Sequence, residues 1–351
     1  MQTNRRWTER PPGSTWGDYG MDDQIGRLNL LTPERIRAAA REVREGLRFC
    51  LSLPLDLPGG NVVNPRRLPP KLMPTGPASN YRSNFPLTQI DPRLTDVVSD
   101  DYAIIHLQYS TQWDSFAHVG SWFDIMGDGV PRMTYYNGYQ ANRHVCGPVD
   151  YRSGSAMACD DPMQARALGI ENFAATPIQG RGVMVDLLKA WGPGRTAIGY
   201  DHLMRAIDTQ SVEVETGDLL CFRTGYSDAL IRMAGNPDGA ELQRTGAALD
   251  GRDERLLQWI SDSGVAALIA DNYAVEHLDD RPEPSGEAPY ASLPLHEHCL
   301  FKLGVPLGEI WYLSELADWL GTHGRSRFLL TAPPLRLPGA VGSPVTPVAT
   351  V

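Results

Sequence analysis

Asp218-Leu219-Leu220-Cys221-Phe222-Arg223-Thr224-Gly225 is a short apolar run with an acidic entry and a turn at its exit, the composition of a buried strand. Two further runs read the same way, residues 182–187 (Gly-Val-Met-Val-Asp-Leu) and residues 265–270 (Val-Ala-Ala-Leu-Ile-Ala). Helical spacing separates them. Asp201 is placed to cap a helix carrying Leu203, Ala206 and Ile207, and residues 255–261 form another that Gly264 can end. Strands alternating with helices predict an α/β architecture around a buried mixed sheet.

Upstream, Thr32 can cap a helix with Pro33 in its first turn. Ile36, Ala39, Ala40, Val43 and Leu47 give it one apolar face, and Gly46 is placed to end it. Residues 52–93 are dense in Pro, Gly and Asn, which predicts an irregular segment packed over the core as a cover for a site. Residues 101–114 alternate apolar Ala103, Ile105, Leu107 and Tyr109 with polar His106, Gln108 and Ser110. That period of two predicts one strand whose polar face continues to Gln112 and Asp114. No repeat or linker divides the chain, so residues 1–19 read as an N-terminal arm and residues 20–351 as one domain.

Bulk composition narrows the function classes. The 351 residues carry a formal charge of −10, with 42% hydrophobic and 21% charged residues, as in an ordinary soluble enzyme. Nucleic acid is not the expected partner, because phosphate backbones need clustered Lys and Arg. A membrane is not expected either, since no apolar run approaches the roughly 20 residues of a span. The N-terminus lacks the apolar core of a signal peptide. Cys50, Cys146, Cys159, Cys221 and Cys299 are odd in number and scattered, which suggests reduced thiols and a cytoplasmic location.

The chemistry is concentrated in Gln108-Tyr109-Ser110-Thr111-Gln112-Trp113-Asp114-Ser115-Phe116-Ala117-His118. Polar side chains at every second position can converge on a ligand when the strand face is buried. On alternation alone, a solvated sheet face is the better reading.

This segment resembles the H-x-G-T-H-x-D-x-P-x-H signature of the cyclase family, which includes kynurenine formamidases and isatin hydrolases. Thr111, Asp114 and His118 fall on the matching positions. Gln108 and Gln112 stand where the first two histidines would be, Ser110 replaces the glycine and Phe116 the proline. Further stretches match in order: Trp16-Gly17-Asp18, Asp22 to Gly26 with Asn29, Gly217-Asp218 to Gly225, Asp271-Asn272 to Glu276, Leu295-His296 with Gly304 and Glu309, and Gly342 to Val345.

The resemblance implies a barrel-like mixed sheet with flanking helices, and a homo-oligomer, dimer or tetramer. It also implies a hydrolase, arylformamidase-like, that opens a C–N bond of a small amide, lactam or formamide with the help of zinc or manganese. Carried over by position, the implied metal ligands are Asp114, His296 and Glu309, with His118 as acid/base group beside Asp114. A histidine suits proton transfer because its ordinary pKa of about 6.5 lies near working pH.

The two glutamines leave three arrangements open. Asp114, His296 and Glu309 can hold one metal with an open position. Gln108 and Gln112 can instead bind the substrate or a water at a metal-free site, as in a cyclase, dehydratase or lyase, or in a silent ligand-binding homologue. His106 can be brought inward by a bulge. Trp113 is a third candidate substrate contact, although packing is the commoner role for such an aromatic. His298, two positions from His296, belongs to another helix face and reads as structural.

Overall fold

The computed structural model describes residues 6–156, 163–278, 286 and 289–351. Its centre is a nine-stranded sheet curled into a half-barrel with helices against it. In chain order the strands are β1 (Arg48–Cys50), β2 (Gln112–Asp114), β3 (Gln179–Asp186), β4 (Leu219–Arg223), β5 (Ala267–Ala270), β6 (Leu307–Glu309), β7 (Arg327–Thr331), β8 (Gly342–Pro344) and β9 (Val348–Thr350). Their spatial order is β1-β9-β7-β3-β4-β5-β6-β2-β8. The inner pairs β3–β4, β4–β5 and β5–β6 are parallel, and the remaining pairs are antiparallel.

Parallel strands need crossovers, and helices supply them. They include α2 (Tyr200–Thr209), α3 (Tyr226–Met233) and α4 (Glu254–Ser263), with α1 (Pro33–Ala40) and α5 (Ser314–Thr322) outside the central strands. Leu219 to Phe222 and Ala267 to Ala270 are all buried, as continuous apolar runs covered on both faces must be.

The stretches that carried the family resemblance mostly hold this scaffold together. Arg181 forks onto Asp218 at 2.7 and 2.8 Å, while the Glu215 N–H donates to the same carboxylate. Asp271 accepts from the Thr224 N–H and hydroxyl and from the Gly225 N–H at 2.6–2.9 Å, tying the end of β4 to that of β5. Trp16 is fully buried, with its indole N–H on the Phe301 carbonyl, so the arm is docked. Gly26 lies against Gly304 so closely that a Cβ there would come within 2.1 Å of the Gly304 oxygen. Residues 1–5 of the arm, and Cys159, lie outside the described residues. Cys50, Cys146, Cys221 and Cys299 form no disulfide. No described helix is long and apolar enough to cross a membrane.

Three local expectations are corrected. Helix α1 does begin at Thr32, whose hydroxyl accepts from the Arg35 N–H. It ends at Ala40, not Gly46, and leaves Val43 and Leu47 exposed, because the chain must turn back to pair β1 with β9. The single strand over residues 101–114 is two elements. Asp101–Ile104 pairs with Lys71–Pro74 in an exposed surface ribbon, the chain turns at His106, and only Gln112–Asp114 enters the sheet. Period-two alternation does not separate a surface ribbon from a core strand. Asp201 does not cap α2: the Tyr200 N–H is met by Asp253, which also caps its own helix α4. Gly264 ends α4 in the left-handed conformation, as expected.

Candidate active site

Strand β2 lies between β6 and β8, with Glu309 opposite Gln112 and both Leu307 and Gly342 opposite Asp114. Its pleat sends Gln112 and Asp114 to one face and Trp113 to the other. All three are fully buried. Trp113 donates to the Ala332 carbonyl at 2.8 Å and meets Trp311 edge-on, so it is a packing residue and not the substrate contact expected of it.

Thr111 fixes the approach to β2. Its hydroxyl accepts from the Leu53 N–H and donates to the Ile310 carbonyl. After β2, a turn closed by the His118 N–H on the Ser115 carbonyl brings His118 back over Asp114. His118 Nε2 then lies 3.9 Å from Asp114 Oδ2.

Gln108 joins the two. Its amide nitrogen donates to Asp114 Oδ1 and sits 3.2 Å from His118 Nδ1. With Nδ1 as the acceptor, the proton of neutral His118 resides on Nε2, facing the carboxylate. Gly342 makes room for this bridge. A Cβ there would lie 2.5 Å from Gln108 Cγ.

The second half of the site comes from residues 294–303, where Pro294–His296 begins a helix that continues as the π-helical turn Glu297–Leu303. His296 is buried, with Nδ1 2.7 Å from Glu276 Oε2 and Nε2 3.4 Å from Glu309 Oε1. Glu276 is fixed in turn by the Leu295 and His296 N–H groups. One ligand atom from each of Asp114, His296 and Glu309 lies within 4.8 Å of the others. Geometry thus unites the residues selected as ligands, with His118 beside them. Ring centroids of His118 and His296 are 6.5 Å apart.

Burial raises the Asp114 carboxyl above the usual range, and Glu309 adds to the rise against the opposing pull of His118. Burial works against a charged His296, but Glu276 and Glu309 outweigh it and push its pKa up to about 10. Glu309 is held low despite burial, chiefly by its hydrogen bond to His296. Three carboxyl groups therefore surround one imidazole. Asp114 Oδ2 and Gln112 Oε1 have no hydrogen-bond partner, although buried acceptors are nearly always satisfied. A group that supplies positive charge to oxygen is what this donor set fits.

His106 stays outside, exposed, with Nδ1 against the Leu68 backbone. His298 bonds Ser261, away from the site, as its helical phase predicts. Two residues here were not assigned from the sequence. Glu276 stood in a matching stretch with no role attached. Arg67, from the Pro/Gly-rich segment, donates to the Gln108 carbonyl at 2.6 Å, and its charge helps hold Glu309 low. Neither position carries a local signal of its place, because both reach the site through loops.

Residues 51–277 match the family model Cyclase. The chain belongs to the Cyclase family. A crystal structure described as a novel cyclase is 32% identical, with a TM-score of 0.71 over 98% of this chain and 100% of that one. Two isatin hydrolase A structures are more distant and bear on the fold alone. The one from Labrenzia aggregata has 12% identity and a TM-score of 0.52, covering 89% of this chain and 95% of that one. The one from Ralstonia solanacearum has 14% identity and a TM-score of 0.50, covering 91% and 97%. No curated protein sequence is significantly similar to this chain.

Proposed function

We propose that this member of the Cyclase family is a metal-assisted hydrolase that opens a C–N bond in a small amide, lactam or formamide. The observation that carries this reading is the buried convergence of Asp114, His296 and Glu309, with Asp114 Oδ2 left without a donor, beside His118. Membership of the Cyclase family is consistent with this reading. A divalent cation held by these three residues would polarise the carbonyl and acidify a water.

The remaining work falls to the chain. Water adds to the carbonyl carbon and gives its proton to the Asp114 carboxylate; as the C–N bond breaks, the nitrogen takes the proton of His118 Nε2, which Asp114 replaces with the one it took from water. The products are a carboxylic acid and an amine, joined in one molecule when the substrate is cyclic. Gln108 holds His118 in the tautomer that delivers from Nε2. Glu276 holds His296 Nδ1, which leaves Nε2 as the nitrogen that would bind a cation. Arg67 holds the Gln108 backbone in place through its hydrogen bond to that carbonyl.

The test is turnover of a panel of N-formyl aryl amines and cyclic lactams, isatin included, with and without chelator. Chelator-sensitive hydrolysis lost in Asp114→Asn and His118→Ala supports the proposal. Full activity in both variants contradicts the site. Turnover indifferent to chelation, on a substrate that eliminates or cyclises, favours a metal-independent lyase.

A further inference from the structure

Gln112 stands where the family signature has an imidazole, and its surroundings show what the change does. It is fully buried on β2, two residues from Asp114 and opposite Glu309 in the strand register. Its Nε2 donates to Glu309 Oε2 at 2.9 Å. That contact fixes the amide, because the reverse orientation would set two oxygens against each other. Oε1 is therefore the atom turned away from Glu309, and it has no donor.

An unpaired buried amide oxygen bears its full desolvation cost with nothing to offset it, so its retention calls for an occupant. Asp114 Oδ2 is orphaned on the same strand face. Two buried acceptors without donors, on side chains that share a strand face next to Glu309, ask for a cation.

From this, resting on the hydrolase reading above, the geometry points to Gln112 Oε1 as a fourth ligand, giving the site three oxygens and one nitrogen, and to a hard divalent cation such as manganese as its occupant in preference to zinc. Carboxylate and carbonyl oxygens suit manganese and magnesium, whereas imidazole-rich sets suit zinc. Replacing an imidazole by an amide oxygen shifts the preference in that direction. The Gln112 amide also bonds the Glu309 ligand directly, so one side chain supplies a donor and orients its neighbour.

The experiment compares the full-length chain with Gln112→His and Gln112→Leu, measuring Mn2+ and Zn2+ dissociation constants by chelator competition. Manganese electron paramagnetic resonance and thermal unfolding are recorded on the same samples. Gln112→Leu should weaken Mn2+ binding about tenfold or more, and Gln112→His should raise the zinc-to-manganese affinity ratio by about tenfold. If Gln112→Leu does not fold, the ratio in Gln112→His decides. Unaltered constants and an unaltered ratio in the folded variants overturn this inference alone. A wild-type chain that binds neither ion overturns it together with the hydrolase reading.

Discussion

His296 and Glu276 form a buried pair, Nδ1 to Oε2 at 2.7 Å, that commits the imidazole to present Nε2 toward Glu309 and Asp114. The carboxylate is held in place by two backbone N–H groups of the segment that carries the histidine. Ring orientation is thus set before anything binds. A carboxylate behind a ligating histidine also raises its basicity toward a cation.

Glu276→Gln keeps the shape and removes the charge. Metal affinity should fall about 10- to 100-fold, the usual effect of losing such a partner. Isothermal titration with Mn2+ and Zn2+ measures it. An unchanged affinity in a folded variant would detach Glu276 from the site.

Gln108 is expected to act through His118 and not through the fold. Gln108→Leu should lower kcat about 100-fold, within the range of a lost proton-transfer arrangement, with little change in melting temperature. Gly342→Ala should do the same by a different route, since its methyl group would lie 2.5 Å from Gln108 Cγ. Steady-state kinetics beside thermal unfolding separate the two effects. A loss confined to stability would mean that the bridge is merely structural.

The Arg181–Asp218 pair is a matter of stability. Asp218 is almost wholly buried and Arg181 nearly so. Asp218→Asn leaves the guanidinium with the half-exposed Glu215 carboxylate, at 2.9 Å, as its remaining countercharge, which should cost up to about 3 kcal/mol. Urea unfolding of the wild type and the variant checks this, and a difference under about 1 kcal/mol would show that Glu215 alone can hold Arg181.

His298 supplies a pH dependence. Burial pushes its pKa down to about 4, with Lys302 and Arg27 adding to the fall. The unfolded chain binds the proton more tightly, with a pKa of about 6.5. Between those values the unfolded state carries more protons, so this contribution to stability is complete above about pH 6.5 and is lost as pH falls toward 4. It is at most about 3 kcal/mol. Denaturant midpoints measured from pH 4 to 7 should fall less steeply in His298→Gln than in the wild type. Parallel curves would remove His298 as the cause.

The parts legible in the sequence are those with a short-range signature. Residues 219–223 and 267–270 declare themselves because strands covered on both faces are continuously apolar. Asp114 and His118 are found through the signature they match, which is short because one turn joins them. Residues 101–104 mislead, because an exposed ribbon alternates as a core strand does. Trp113 misleads by adjacency, since its neighbours Gln112 and Asp114 face the other way. Glu276 and Arg67 reach the site from 20 and 41 positions away from their partners His296 and Gln108, a distance that no local pattern encodes.

The most direct measurement is metal content, by plasma mass spectrometry, of the protein purified without added metal or chelator. About one divalent ion per chain is expected, manganese before zinc, and His296→Ala should lose it. A folded wild-type chain that holds no stoichiometric metal, even after incubation with manganese and zinc, would contradict metal-assisted hydrolysis and leave Gln108 and Gln112 as groups that bind substrate.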